Sequence, residues 1–114
     1  MNLLVISSKS IQKFDLSRLM PEDLTLLIAE PDCPVGASLK EYAEKNKIGF
    51  VSVRLDDYGE RSSSDYNDLL VRMADGVLII WDGESQECVE INSLAYKRNT
   101  PCPHMIFPKT DNKG

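Results

Sequence analysis

With 114 residues the chain can build one core of ordinary size and not two, so a single fold must carry its function. Its 18 acidic against 13 basic residues leave a net charge of −5, which argues against sequence-independent binding to nucleic acid. The 42% hydrophobic and 27% charged content is that of a soluble globular protein, and no run approaches the ~18 apolar residues of a membrane span. The apolar start, residues 1–6, is too short for a secretory leader, so a cytoplasmic location is expected. Cys33, Cys88 and Cys102 are an odd number at wide spacings, which fits neither a disulfide framework nor a C-x-x-C pair.

Residues 2–6, carrying Val5 and Ile6, read as a first buried strand that leaves through Ser7, Ser8, Lys9 and Ser10. Phe14, Leu16, Leu19 and Met20 can line a short helix over 11–20, stopped by Pro21. Residues 24–29 predict a second buried strand, and 30–36, with Pro31, Pro34 and Gly36, form the first candidate binding loop. Val35, Leu39, Tyr42 and Ala43 then give the stripe of an amphipathic helix ending near Asn46, with Ser38 and Glu41 at capping-box spacing.

Residues 48–55 predict a third strand, with Arg54 marking a less buried edge. After the polar loop 56–61, Tyr66, Leu69, Leu70 and Met73 form the inner stripe of another helix, with Ser64 as its N-cap and an Asp68–Arg72 pair on its surface. Val77, Leu78, Ile79 and Ile80 are an uncharged, β-branched-rich run between Gly76 and the turn Asp82-Gly83, the pattern of a strand buried on both faces. Ser85 can cap a last helix with Cys88, Ile91, Leu94, Ala95 and Val89 inward and Lys97 and Arg98 at its C-terminus. Residues 104–107 predict a short fifth strand, and 109–114 a flexible tail beyond a domain spanning 1–108. This alternation implies an α/β fold, a mostly parallel five-stranded sheet with helices on both faces.

In such a sheet ligands bind beyond the C-terminal ends of the strands. The loops assigned to that edge hold Glu30, Asp32, Asp56, Asp57, Glu60, Asp82, Glu84 and Glu87 against Lys9 and Arg61, a field that repels a bare pyrophosphate unless a divalent ion such as Mg²⁺ intervenes. Trp81 can stack on a base or ribose, with Tyr58 or Tyr66 opposite, or it can close the core under the loops. Asp82 can accept from a ribose hydroxyl or act as a general base, or it can hold the Asp82-Gly83 turn. Cys33 and Cys88 both fall on this edge and could approach each other or bind metal, whereas His104 belongs at the opposite edge as a structural residue. No pattern of residues names a catalytic mechanism.

Several blocks resemble the SLOG superfamily of Rossmann-like nucleotide-binding domains, in particular its YspA or cpYpsA-related branch. They are Ile6-Ser7-Ser8-Lys9, then Ser38-Leu39 with Glu41-Tyr42-Ala43, then Asp57-Tyr58-Gly59, and finally Ala74-Asp75-Gly76 followed by Ile80-Trp81-Asp82-Gly83-Glu84-Ser85. The resemblance implies a single Rossmann-like three-layer domain and a nucleotide or nucleotide-derived ligand contacted by Ser8, Lys9, Glu30, Asp32, Gly36, Asn67, Trp81, Asp82, Gly83 and Ser85. The phosphate-contacting glycines and arginine of the family are replaced at several places. Ser7 and Lys9 stand for Gly and Arg, the glycine-rich second loop is the proline-containing 29–37, Tyr66 precedes Asn67 where the family has Arg, and Glu87-Cys88 replaces Gly-Thr. A binding module is therefore the first expectation. Two others stand beside it: an interaction or scaffold protein working through a homodimer or partner surface, with residues 11–20 involved, and a hydrolase on a nucleotide-type substrate with Asp82 as its base.

Overall fold

The computed structural model describes residues 1–9, 20, 22–31, 33–53, 63–100 and 104–106. Residues 11–19 of the helix expected over 11–20, the tail 109–114 and the loop residues Asp32, Asp56, Asp57, Tyr58, Glu60 and Arg61 lie outside them. The strands are β1 (Asn2–Ser7), β2 (Leu26–Ala29), β3 (Gly49–Ser52), β4 (Gly76–Ile80) and β5 (His104–Ile106), and the helices are α1 (Gly36–Asn46), α2 (Ser63–Met73) and α3 (Gln86–Lys97). Every strand pairing is parallel, in the order β3-β2-β1-β4-β5. An α/β protein with a parallel sheet is what the alternating pattern predicts.

Side-chain parity divides the core. Leu3 and Val5 of β1, Leu27 and Ala29 of β2, and Leu78 and Ile80 of β4 pack with Val35, Leu39 and Ala43 at α1. The intervening residues Leu4, Ile6, Ile28, Val77 and Ile79 pack with Tyr66, Leu70 and Val71 of α2 and Cys88, Ile91 and Ala95 of α3. All five residues of β4 are buried, so the run of apolar residues is used on both faces as its composition requires. Each large aliphatic side chain withdrawn there contributes about 1.5–3 kcal/mol.

The register of the two central strands is pinned at their N-terminal ends. Asn2 N–H donates to the Asp75 carboxylate (2.8 Å) while Asp75 N–H donates to the Asn2 carbonyl (2.8 Å), and the Asn2 side-chain amide donates to the Met73 carbonyl (3.3 Å). These bonds set Leu3 opposite Gly76 and, four pairs on, Ser7 opposite Ile80, so β1 and β4 end side by side.

The helix starts differ from the capping expectations. Val35 is the N-cap of α1 and makes no side-chain cap bond, so Ser38 lies inside the first turn and the Ser38–Glu41 capping box does not form. Helix α2 begins at Ser63, which places Ser64 within it rather than ahead of it. At α3, Ser85 does occupy the N-cap, but its hydroxyl leaves the helix amides alone. Cys88, Ile91 and Ala95 are the buried face of α3, Leu94 is half-buried, and Val89 is 39% exposed, not inward as expected. Arg98 does more than complement a dipole. Its guanidinium grips Asp68 of α2 at 2.6 and 2.7 Å, while Arg72 lies 3.4 Å from the same carboxylate. The hydrogen bonds from Arg98, more than any other cause, hold the Asp68 carboxyl below its ordinary value.

At the sheet's edge, Gly49 makes room for its neighbour. A Cβ there would stand 2.8 Å from Leu26 Cδ1, so the Leu26 side chain leans over β3 where a side chain is missing. The expectation of an edge strand over this region agrees with the half-exposed Phe50 and Val51.

Candidate functional site

Because the strands run parallel, Ser8 and Lys9 after β1, the loop from Glu30 after β2, and Trp81 to Ser85 after β4 leave the sheet at the same edge. The strand order changes direction between β1 and β4, which makes the gap beyond their ends the topological switch point.

That gap is closed at its floor by the protein itself. Ser8, only 1% exposed, donates its N–H to the Ile80 carbonyl (2.9 Å), and its hydroxyl accepts from Asp82 N–H (2.9 Å). The same hydroxyl lies 3.6 Å from the Cys88 thiol at the start of α3. One buried Ser therefore ties the end of β1 to the turn after β4 and to the helix beyond it. Ser7, also buried, donates from its hydroxyl to the Ser8 carbonyl (3.3 Å).

The Trp81–Ser85 turn holds its own shape. Asp82 Oδ1 accepts from Glu84 N–H (2.8 Å) and Ser85 N–H (3.0 Å), the arrangement of an Asx-turn. The Trp81 indole N–H donates to the Ser85 carbonyl (3.1 Å) while its ring packs on the α2–α3 side of the core, which favours the closing role for this residue. Gly83 sits at φ 91°, a conformation that penalises any Cβ. Gly83→Ala is expected to cost about 1–2 kcal/mol. The cost should appear as a lower urea midpoint with an unchanged slope, and a stability equal to wild type would mean that the turn re-forms without the positive φ.

Three side-chain placements bear on these expectations. Tyr66 is buried, and its hydroxyl donates to the Val53 carbonyl, so it anchors α2 to the residue that follows β3. Asn67 is 3% exposed and donates to Glu90 of α3 (2.8 Å), so it joins two helices where a ligand contact was expected. Cys33 packs on the α1 side of the sheet and Cys88 on the α2–α3 side, so the two thiols are separated by the strands. Sequence reasoning missed Cys88 as the neighbour of Ser8 and Glu90 as the partner of Asn67. The only local hint was that Cys88 stands three residues after Ser85, one helical turn on.

Glu30 and Gly36 belong to a chain of turns leading into α1: Cys33 N–H donates to the Glu30 carbonyl (3.1 Å) and Gly36 N–H to the Cys33 carbonyl (2.9 Å). A Cβ on Gly36 would meet nothing closer than Cys33 Cβ at 3.8 Å, so no close backbone approach demands glycine there. Lys9, Gly83 and Glu84 are the exposed members of this edge, with Asp82 and Ser85 half-buried. Among the described residues no three His, Cys, Asp or Glu side chains converge as a metal site.

Burial, ahead of every other influence, pushes the Cys88 thiol above its ordinary value of 9.0. In the unfolded chain the thiol ionises near that value and the folded state does not follow, so the unfolded state holds fewer protons and stability falls as pH rises. The stabilising difference is complete below about pH 9 and disappears as pH climbs towards the folded value. Urea titrations of wild type and Cys88→Ala are expected to converge in midpoint above that pH, and parallel curves would show that Cys88 ionises alike in both states.

No helix among the described residues is long and apolar enough to cross a membrane. The chain matches no family model, no curated protein and no solved structure.

Proposed function

We propose that the chain is a Rossmann-like, three-layer module of SLOG type that binds a nucleotide-derived small molecule beyond the ends of β1 and β4. The observation that carries this reading is the switch point itself, where the turn Trp81–Ser85 and the loop Ser8-Lys9 are held together by the Ser8–Asp82 bond. With Ser8 and Cys88 filling the floor, a ligand would lie on the rim formed by Lys9, Asp82, Gly83 and Glu84. Carboxylates there suit ribose hydroxyls better than bare phosphate, and Mg²⁺ would be needed to bring a pyrophosphate against them. Binding is favoured over hydrolysis because one Asp82 oxygen is committed to two backbone amides of its own turn.

Thermal-shift and calorimetric titrations with ADP-ribose, NAD and mononucleotides, each with and without Mg²⁺, test the reading. A ligand at about one hundred times its Kd should add about 2.7 kcal/mol and raise the midpoint by several degrees. Lys9→Glu should abolish that shift. Absence of any response across the whole set would remove the proposal.

A further inference from the structure

Resting on the nucleotide-derived reading of this site, we propose that Asp82 sets its specificity. The Asp82 carboxylate stands where a ligand's phosphate would, so the rim takes a nucleoside by its ribose hydroxyls and turns the phosphorylated form away.

A loop that binds phosphate needs backbone N–H groups converging on one point, because neighbouring amides of a turn form a concavity that draws an anion. The turn after β4 builds that concavity. Glu84 N–H and Ser85 N–H meet at a single oxygen, 2.8 and 3.0 Å away, and that oxygen is Asp82 Oδ1. The chain therefore supplies the anion itself. Two more amides beside the gap are also used, since Asp82 N–H donates to the Ser8 hydroxyl (2.9 Å) and Ser8 N–H to the Ile80 carbonyl (2.9 Å).

Charge acts in the same direction. Glu87, in the first turn of α3, sets a negative charge at the positive end of that helix's dipole. An arriving phosphate thus meets the carboxylates of Asp82, Glu84 and Glu87 within one short stretch, against the ammonium of Lys9.

The groups that repel a phosphate serve a ribose. A hydroxyl donates to a carboxylate, and an uncharged ligand brings no repulsion, so one set of side chains admits the nucleoside and disfavours its phosphate ester. Nor does the turn open freely. Swinging Asp82 aside would leave the Glu84 and Ser85 amides without their acceptor, and the bond from the Trp81 indole to the Ser85 carbonyl (3.1 Å) ties the two ends of the turn together.

Calorimetric titration of the full chain, without divalent cations, compares adenosine, guanosine, cytidine and uridine with their monophosphates. At least one nucleoside should bind, and its monophosphate should bind at least tenfold more weakly, with the gap narrowing as salt rises from about 20 to about 300 mM. Asp82→Ala frees the two amides and should reverse the ranking. Asp82→Asn keeps an oxygen for the amides and loses the charge, so it should narrow the gap at least threefold, which decides the matter should the alanine variant fail to fold. A monophosphate that binds wild type as tightly as its nucleoside would overturn this specificity and leave the nucleotide-derived reading standing. Silence from nucleosides and monophosphates alike would overturn both, and folded variants that keep the wild-type ratio would remove Asp82 from the role.

Discussion

Alanine at Leu78 and alanine at Ile79 should each destabilise the protein by about 2–5 kcal/mol, read from urea unfolding. The two residues are adjacent on β4 and point to opposite faces, Leu78 into the α1 side of the core and Ile79 into the α2–α3 side, and both are fully buried. A sheet with one solvated face would make one of these substitutions nearly neutral. Similar losses at both positions are the signature of a strand enclosed on two sides, and a cost below about 1 kcal/mol at either would contradict that enclosure. Val51→Ala at the sheet's edge supplies the contrast, with a smaller loss because its site is already half-open.

The second large effect is expected at Ser8. Ser8→Ala removes the acceptor for Asp82 N–H and the polar neighbour of the Cys88 thiol, at a residue only 1% exposed. Leaving a donor unsatisfied there should cost about 1–3 kcal/mol. Ser85→Ala is the matched control, since the Ser85 hydroxyl makes no cap bond and its removal should cost less. Amide exchange at Asp82 offers a local readout: its protection should fall in Ser8→Ala and stay in Ser85→Ala. Equal stability for Ser8→Ala and wild type would show that the bond does not hold the turn.

What could be read beforehand was local. The apolar run at Val77–Ile80, bounded by Gly76 and Asp82-Gly83, announces a buried strand in its own composition, and the stripe Cys88, Ile91 and Ala95 announces the inner face of α3. Val89 is apolar like that stripe, yet its position on the helix carries it outward. The capping signals failed for a related reason. Ser38 and Ser64 have the right chemistry at nearly the right place, but a cap depends on where helical geometry begins, and α1 and α2 begin ahead of them.

The site was legible as a set of loops and not as a set of contacts. Ser8 and Asp82 are 74 residues apart, and no spacing within either segment reveals that one hydroxyl receives the other's amide. Asn67 looked available because its partner Glu90 lies on a different helix. Cys33 and Cys88 shared an edge in the topology, yet the alternation of side chains put them on opposite sides of the sheet. The Asx-turn at Asp82 was the exception, being short enough for its residues to declare it.

The pinning of Asn2 to Asp75 spans 73 residues, and this separation matters while the chain is being made. Strand β1 leaves the ribosome first and its neighbour β4 follows after about 4–15 s at ordinary elongation rates. During that interval one long side of the earliest strand has no companion, and Leu4 and Ile6 lack the helices that later cover them. Chains halted before residue 80 are thus left with a bare strand at the centre of the future sheet, the state in which nascent protein is most prone to stick to its neighbours.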